Sequence, residues 1–431
     1  MYLDSTDPDQ LAAWEAELTS ELDTLKRQQL KLDLTRGKPS SAQLSLSDCL
    51  DGILNGHYMS ADGTDTRNYG GLDGLPEAKI LGANLLDVEP INVLVGGNSS
   101  LTLMYFAAHV GMEFGFTGAD SAWRQVHSFN GGTPKFLCPV PGYDRHFSVC
   151  ETFGIDMLNV PMLSTGPDMN VVEDLIAKDS TIVGLWCVPK YSNPTGVTYS
   201  DETVRRIAKL GAIAKPNFRV FWDNAYAVHD LVEKPRPLAN IAGCCQEFGT
   251  EDSVIQFAST SKITLAGAGV SFLATSANNL AALKKVLAMM TIGPDKVNQL
   301  RHCKFLPDKA AIRAHMRKHA EIVAPRFATV LETLQRHFNN GDLGRWEEPE
   351  GGYFISFDTR PGCAKAIVNL AAECGVKLTP AGATFPYGKD PDDKNIRIAP
   401  TVPSIAELEK AMDVFVTCVK LVSVRQKLNR L

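Results

Sequence analysis

The chain has 431 residues, of which 44% are hydrophobic, and a formal net charge of −6. This length allows a large core and more than one domain. The negative charge gives no electrostatic footprint for nucleic acid, and no apolar run reaches membrane-spanning length. We therefore expect neither nucleic acid nor a membrane as a partner. The N-terminus is acidic and unlike a signal peptide, and none of the ten cysteines forms a Cys-x-x-Cys pair. These features predict free thiols, no metal site and a cytoplasmic location.

The N-terminal region has a helical pattern followed by loops. Leucine and tryptophan recur every three or four residues over 8–33, which predicts a long helix with one apolar face. A loop rich in Gly and Pro follows at 34–40 and contains Gly37. A second glycine-rich loop at 67–76 contains Tyr69. Both segments hold too many helix breakers to form a regular element.

Short apolar runs alternate with helical patterns through the middle of the chain. This alternation predicts an α/β domain whose mostly parallel sheet is covered on both faces. In such sheets a ligand lies beyond the carboxyl ends of the strands. The predicted strands are 91–95, 135–140, 156–162, 181–188, 219–222, 254–258 and 270–274.

After about residue 308 the pattern indicates a smaller α+β domain. A long helix is predicted at 312–337, with a kink at Pro325. Strand-like segments near 351–357, 376–378 and 395–399 precede a closing helix at 405–428. The predicted units are an N-terminal helix and arm that complete the small domain (1–50), a large domain (51–308) and the C-terminal small domain (309–431).

A single lysine, Lys262, follows a predicted strand and a run of three hydroxyl residues, 259–261. Gly267 and Gly269 come shortly after it. An amine at the end of a strand can form a Schiff base with a carbonyl group, and the nearby hydroxyls can hold a phosphate. Taken alone, such a lysine is more often a solvated surface residue.

Other predicted strand ends carry an aromatic ring, an amide, an acid and a phenol. These side chains belong to Tyr143, Asn193, Asp223 and Tyr226. Each has an ordinary structural reading, as a core tyrosine, a turn residue or a helix-capping acid. The helix start at 98–100 adds backbone N–H groups that suit a phosphate. Together they match what pyridoxal phosphate needs: a stacking partner, an acid at the ring nitrogen, a phosphate cradle and a lysine.

The order and spacing of these motifs resemble those of fold-type-I, class I/II aminotransferases. The resemblance extends from Gly37 to Arg397. The motifs that carry it are Asn193-Pro-Thr-Gly, Asp223-x-x-Tyr226, Ser259-x-Ser-Lys262 and Arg397. The stretch from Ser259 through Ser271, with Leu-Thr-Arg-Gly-Lys-Pro-Ser near the start, is similar to a divergent bacterial group of aspartate aminotransferases.

The resemblance implies catalytic and ring-binding roles for five residues. Lys262 is implied as the Schiff-base lysine and general base. Asp223 is implied as the partner of the pyridine nitrogen, which makes the ring an electron sink. Tyr226 and Asn193 are expected to contact the ring oxygen, and Tyr143 to stack on the ring.

It also implies a phosphate site and a homodimer with shared active sites. The expected cradle is Asn98, Ser99, Ser100, Ser259 and Ser261. Tyr69 resembles the tyrosine that the neighbouring subunit lends to the phosphate. The chain departs from the family at Val270, where an arginine usually pairs with the phosphate. The phosphate must therefore be held by hydroxyl groups, backbone amides and Tyr69, or by a cation from elsewhere.

For the substrate, the resemblance implies that Arg397 binds the α-carboxylate, with Asn193 and Gly37 beside it. We expect aspartate as amino donor and 2-oxoglutarate as acceptor. A side-chain carboxylate needs a second cation, for which the chain offers Lys296, Arg301, Arg36 and Lys38. Three alternatives stay open. One is an aminotransferase of neutral or aromatic amino acids, and another is different pyridoxal phosphate chemistry such as β-elimination or decarboxylation. The third is an effector-sensing domain of a transcription regulator. The last needs a basic DNA-binding domain, for which the short acidic N-terminus leaves no room.

Overall fold

The computed structural model describes residues 3, 6–126, 131–339 and 341–429. Its described helices are α1 (Pro8–Arg27), α2 (Ser41–Ser45), α3 (Pro76–Leu86), α4 (Ser100–Glu113), α5 (Asp144–Thr152), α6 (Met169–Lys178), α7 (Asp201–Ile213), α8 (Ile241–Phe248), α9 (Ala277–Met290), α10 (Lys296–Phe305), α11 (Lys309–Phe338), α12 (Ala364–Glu373) and α13 (Ile405–Lys427). Its strands are β1 (Leu32–Asp33), β2 (Val93–Val95), β3 (Lys135–Val140), β4 (Asp156–Leu163), β5 (Gly166–Pro167), β6 (Ile182–Cys187), β7 (Arg219–Asp223), β8 (Val254–Ser259), β9 (Ser271–Thr275), β10 (Gly344–Trp346), β11 (Ile355–Thr359), β12 (Val376–Lys377) and β13 (Asn395–Ile398).

An eight-stranded sheet forms the centre of the molecule. Its strand order is β2-β9-β8-β7-β6-β3-β4-β5. The pairs from β8 to β4 are parallel, whereas β9 runs antiparallel to both its neighbours and β5 antiparallel to β4. Every residue of β6, β7 and β8 is buried, as expected for strands covered by helices on both faces. The predicted mostly parallel sheet is confirmed.

The first helix is shorter than its apolar pattern predicts. Asp7 caps α1 with its side chain, and Pro8 occupies the first helical turn. The helix ends at Arg27, and Leu32 and Asp33 instead pair in parallel with Val376 and Lys377. The prediction of helix as far as residue 33 is therefore wrong at its end, because pairing with a strand distant in sequence overrides local propensity.

The two ends of the chain share one core. Buried leucines of α1 pack in the same apolar cluster as α11 and α13. Strands β10, β11 and β13 form an antiparallel sheet in this region. Helix α11 runs through Pro325 as a single helix of 30 residues. This packing agrees with an N-terminal helix that completes a small domain, while the boundaries at residues 50 and 308 stay a prediction.

Within the described ranges, no helix combines the length and the apolar character required to cross a membrane.

Candidate active site

A cavity of about 170 Å³ lies where the central strands end. Nine residues singled out from the sequence line it: Gly37, Ser99, Ser100, Tyr143, Asn193, Asp223, Tyr226, Ser261 and Lys262. Asp223 is the last residue of β7, and Ser261 and Lys262 follow the end of β8. Parallel strands end at the same edge of a sheet, which is why residues so distant in sequence meet here.

Asp223 is buried at one side of this cavity, and only one of its carboxylate oxygens has a hydrogen-bond partner among the described residues. Its Oδ2 lies 3.0 Å from Nε2 of His146, whose ring stacks on Trp186 with 4.1 Å between centroids. Oδ1 has no hydrogen-bond partner among the described residues. A buried carboxylate oxygen without a partner is costly, so this atom suits a ligand N–H that bears positive charge. The ring nitrogen of pyridoxal phosphate fits that description.

The Lys262 amine faces the same cavity. Its Nζ lies 5.0 Å from the centre of the Tyr226 ring. Removal from water lowers the pKa of this lysine, and the charge of Asp223 offsets part of that shift. A larger neutral fraction makes the amine a better nucleophile and base. Burial also raises the pKa of Tyr143 to about 12, so its ring is uncharged where it borders the cavity.

Hydroxyl groups and a helix terminus form the end of the cavity at Ser99 and Ser100. Ser99 is the N-cap of α4; the Thr102 N–H bonds the Ser99 carbonyl at 3.2 Å, and the other N–H groups at the start of a helix suit an anion. Ser261 Oγ lies 2.7 Å from Ser259 Oγ. Val270, at the position of the missing arginine, packs into an apolar core cluster instead. This end therefore offers neutral donors and a helix dipole to a phosphate.

Arg397 adjoins the cavity from the β13 side. Its Nη1 donates to Asn193 Oδ1 at 3.2 Å and lies 3.3 Å from Asp144 Oδ1. The guanidinium stands over the Phe354 ring, 4.7 Å from its centre. Gly37 lies so close that an added Cβ would be 2.5 Å from the same ring. A buried guanidinium above an open cavity suits a carboxylate.

Several other predicted residues lie away from the cavity wall. Asn98 is exposed and donates to the Gly267 carbonyl at 3.2 Å. Tyr69 is 83% exposed in the single chain. Lys296 is buried, and its amine donates to the Gly70 carbonyl at 2.8 Å. The other proposed cations, Arg36, Lys38 and Arg301, are exposed.

Sequence reasoning gave no role to His146 or to Phe354. His146 lies one helical turn after Tyr143, and the two rings are 5.0 Å apart. That spacing was the available signal, because residues three apart on a helix share a face. Phe354 sits in an apolar segment, and only the fold brings it beside Arg397. The described residues include no cluster of three His, Cys, Asp or Glu side chains able to hold a metal ion.

Comparison with known proteins agrees with this geometry. Residues 6–430 match the family model described as aspartate amino-transferase. The aspartate aminotransferase of Corynebacterium glutamicum is 44% identical over 99% of this chain and 98% of its own length. A protein of Mycolicibacterium smegmatis is 48% identical over 92% of both chains. The crystal structure of an aspartate transaminase from Corynebacterium glutamicum superposes with a TM-score of 0.94 at 43% identity, covering 99% of both chains. The chain belongs to the aspartate aminotransferase family and is an aminotransferase of fold type I.

Proposed function

We propose that this enzyme uses pyridoxal phosphate to move an amino group between aspartate and 2-oxoglutarate. The observation that carries the cofactor assignment is the pairing, in one cavity, of the Lys262 amine with the unpartnered Oδ1 of Asp223. Tyr143, Asn193 and Tyr226 would border the ring. Asn98, Ser99, Ser100, Ser259 and Ser261 are the proposed donors to the phosphate.

When bound, pyridoxal phosphate supplies an aldehyde that condenses with amines and a ring that accepts the electron pair of a deprotonated α-carbon. Asp223 would keep the ring nitrogen protonated, because its unpartnered Oδ1 can accept an N–H and its charge favours a cation. His146 holds the other oxygen at 3.0 Å and so fixes the direction of the carboxylate. The acid thus stabilises charge that forms during the reaction.

Lys262 has two roles in the proposed reaction. As a neutral amine it would be the residue that holds the cofactor's aldehyde. Its amine would also take the α-proton of the substrate and later give a proton back, as a general base and then a general acid. The buried setting that lowers its pKa suits both roles.

Arg397 orients the substrate. Its guanidinium binds the α-carboxylate, and Asn193, 3.2 Å away, holds that guanidinium in place. Gly37 and Phe354 close the cavity beside it. Apolar lining at Leu101 and Val188 excludes water, which strengthens these polar contacts.

Cofactor binding should depend on pH through Lys262. In cofactor-free protein, the rate of imine formation with pyridoxal phosphate should rise with pH as this amine loses its proton. Because burial lowers the pKa of Lys262, we expect the midpoint below the ordinary value of 10.5. Stopped-flow absorbance measures the rate, and N-acetyl-lysine with the same cofactor is the control. A midpoint at or above that of the control would contradict the prediction.

The proposed enzyme works as a homodimer, in which Tyr69 of the partner subunit reaches the phosphate. In the single chain the Tyr69 ring is 83% exposed, although Lys296 fixes the next residue through the Gly70 carbonyl. Three further apolar side chains are exposed near the end of α9: Met289, Met290 and Ile292. An exposed aromatic ring and further exposed apolar side chains suit contact with a second copy.

Mixed dimers test this sharing of sites. Tyr69→Ala and Lys262→Ala homodimers should each have low activity, for lack of a phosphate contact or of the amine. A hybrid has one site with both wild-type residues, so mixing under conditions of subunit exchange should restore activity. The measurement is specific activity before and after exchange, with each mutant mixed with itself as control. No recovery in verified hybrids would refute the shared site.

Aspartate is the proposed donor because the Corynebacterium glutamicum relative, similar over the whole chain, is named for it. Lys296 already donates to a carbonyl oxygen, so we expect the side-chain carboxylate to pair with another cation. We expect kcat/KM for aspartate to exceed that for alanine or phenylalanine by roughly a hundredfold. Replacing Arg36, Lys38 and Arg301 singly by alanine should show which one sets this ratio. If the wild-type enzyme prefers alanine or phenylalanine, the assignment of aspartate as donor is wrong, whereas the aminotransferase activity is unaffected.

The proposal also places the enzyme in the cytoplasm. All ten cysteines are free thiols, and eight of these lie buried among apolar side chains. A reducing compartment maintains thiols in that state.

A further inference from the structure

Five buried polar side chains outside the cavity lining surround the main chain at Lys262. They are Gln43, His229, His315, His319 and Tyr353, and none is more than 6% exposed. They come from α2, from the loop after β7, from α11 and from the residues before β11. The proposed reaction uses none of them.

Three of these side chains bind two successive carbonyl groups. The Tyr353 hydroxyl donates to the Lys262 carbonyl at 3.2 Å, and His229 Nε2 lies 3.3 Å from the same oxygen. His315 Nε2 lies 2.7 Å from the Ile263 carbonyl oxygen. Carbonyl oxygens only accept, so both histidines present an Nε2–H here.

The remaining two side chains connect these contacts into a closed ring. The Gln43 amide donates to His319 Nδ1 at 3.2 Å and to the Tyr353 hydroxyl at 2.9 Å. His319 therefore carries its proton on Nε2, which faces the same Ile263 carbonyl as His315 Nε2 and lies 3.1 Å from it. The ring thus passes from Lys262 through Tyr353, Gln43 and His319 to the Ile263 carbonyl, which His315 also binds.

All three histidines near the Lys262 main chain are uncharged. Burial lowers the pKa of His229 to about 3 and that of His319 to about 4, and it also lowers the pKa of His315. Neutral imidazoles add no positive charge beside the Lys262 amine. They can therefore hold the main chain firmly without opposing a proton on that amine.

In the proposed function the Lys262 amine has to reach two positions in turn, the aldehyde carbon of the cofactor and the proton on the substrate α-carbon. Its side chain must move while its main chain stays fixed, because a displacement of about 1 Å can reduce a rate about a hundredfold. Farther along this loop, residues 266–268 are exposed, whereas the ring of side chains holds the main chain at Lys262 from the buried side.

We propose that Tyr353, His229 and His315 are positioning residues that fix the main chain at Lys262 and Ile263, with Gln43 and His319 joining Tyr353 to the Ile263 carbonyl. The proposal rests on the function proposed for Lys262. It assigns these side chains to the rate of proton transfer, and not to substrate binding.

The test compares four variants of the holoenzyme. Tyr353→Phe removes one hydroxyl, His315→Leu removes the donor, and His315→Gln keeps a donor at similar reach. His337→Leu is the matched control, because His337 is a half-buried histidine farther along α11 that binds Lys420. The readouts are kcat, KM for the amino donor, the melting temperature and the pH midpoint of the absorption of the lysine-bound cofactor.

We expect Tyr353→Phe and His315→Leu to lower kcat about tenfold or more, with KM within about twofold of wild type. Both should also move the absorption midpoint farther than the control does. His315→Gln should recover most of kcat. Unchanged kcat and midpoint in folded Tyr353→Phe would overturn the proposal, as would equal losses in His315→Gln and His315→Leu. If His315→Leu does not fold, Tyr353→Phe decides alone. A wild-type protein without bound chromophore would instead reject the proposed function.

Discussion

Lys262→Ala should lower kcat on the order of 10⁴-fold, the largest effect expected of any single replacement in this chain. The variant loses the amine that holds the cofactor and the base that moves the α-proton. No other lysine lines the cavity within the described ranges, so none is placed to substitute for it. The measurement is single-turnover conversion of aspartate, with saturating pyridoxal phosphate added to compensate for weaker binding.

The control for this variant is Lys285→Ala, which removes an exposed lysine on α9. It should keep wild-type activity and colour. In cofactor-free protein, the melting temperature of Lys262→Ala should not fall, because burial of its amine is itself unfavourable. Turnover within about tenfold of wild type in the Lys262 variant would refute its catalytic role.

Asp223→Asn should lower kcat roughly 10²- to 10³-fold. The amide has nearly the same shape, so the cavity and the contact with His146 can persist. It has no negative charge, so the ring nitrogen is no longer held protonated and the ring becomes a weaker electron sink. The expected kinetic signature is slower α-proton removal, measured as a larger deuterium isotope effect with α-deuterated aspartate.

Asp230→Asn is the matched control for the acid. Asp230 follows in the same loop and pairs with Lys190 at 2.7 Å, outside the active-site cavity. It should leave the isotope effect unchanged. Near-wild-type turnover of Asp223→Asn would show that Asp223 only ends a strand.

The sequence allowed the large sheet and most of the cavity wall to be predicted, because both depend on local signals. Buried strands have continuous apolar runs, and polar residues at their ends converge by topology alone. The end of α1 could not be predicted, since Leu32 and Asp33 pair with a strand more than 300 residues away. Likewise, the ring of side chains around Lys262 joins Gln43 to Tyr353 and His319, and no local spacing connects them.

The positions of single residues show the same limit. The sequence shows that Val270 departs from the family pattern, but its position in an apolar cluster depends on packing that the sequence does not reveal. Lys296 looked like a candidate for a substrate carboxylate, but its amine binds the Gly70 carbonyl. Which hydrogen bond a long side chain makes depends on neighbours that the fold supplies.

The central claim is that Lys262 holds pyridoxal phosphate covalently in the cavity beside Asp223. Borohydride reduction of the purified protein, followed by proteolysis and mass spectrometry of the peptides, tests it most directly. The account predicts a reduced phosphopyridoxyl group on Lys262 and on no other lysine. A label on a different lysine, or no label in protein saturated with the cofactor, would contradict it.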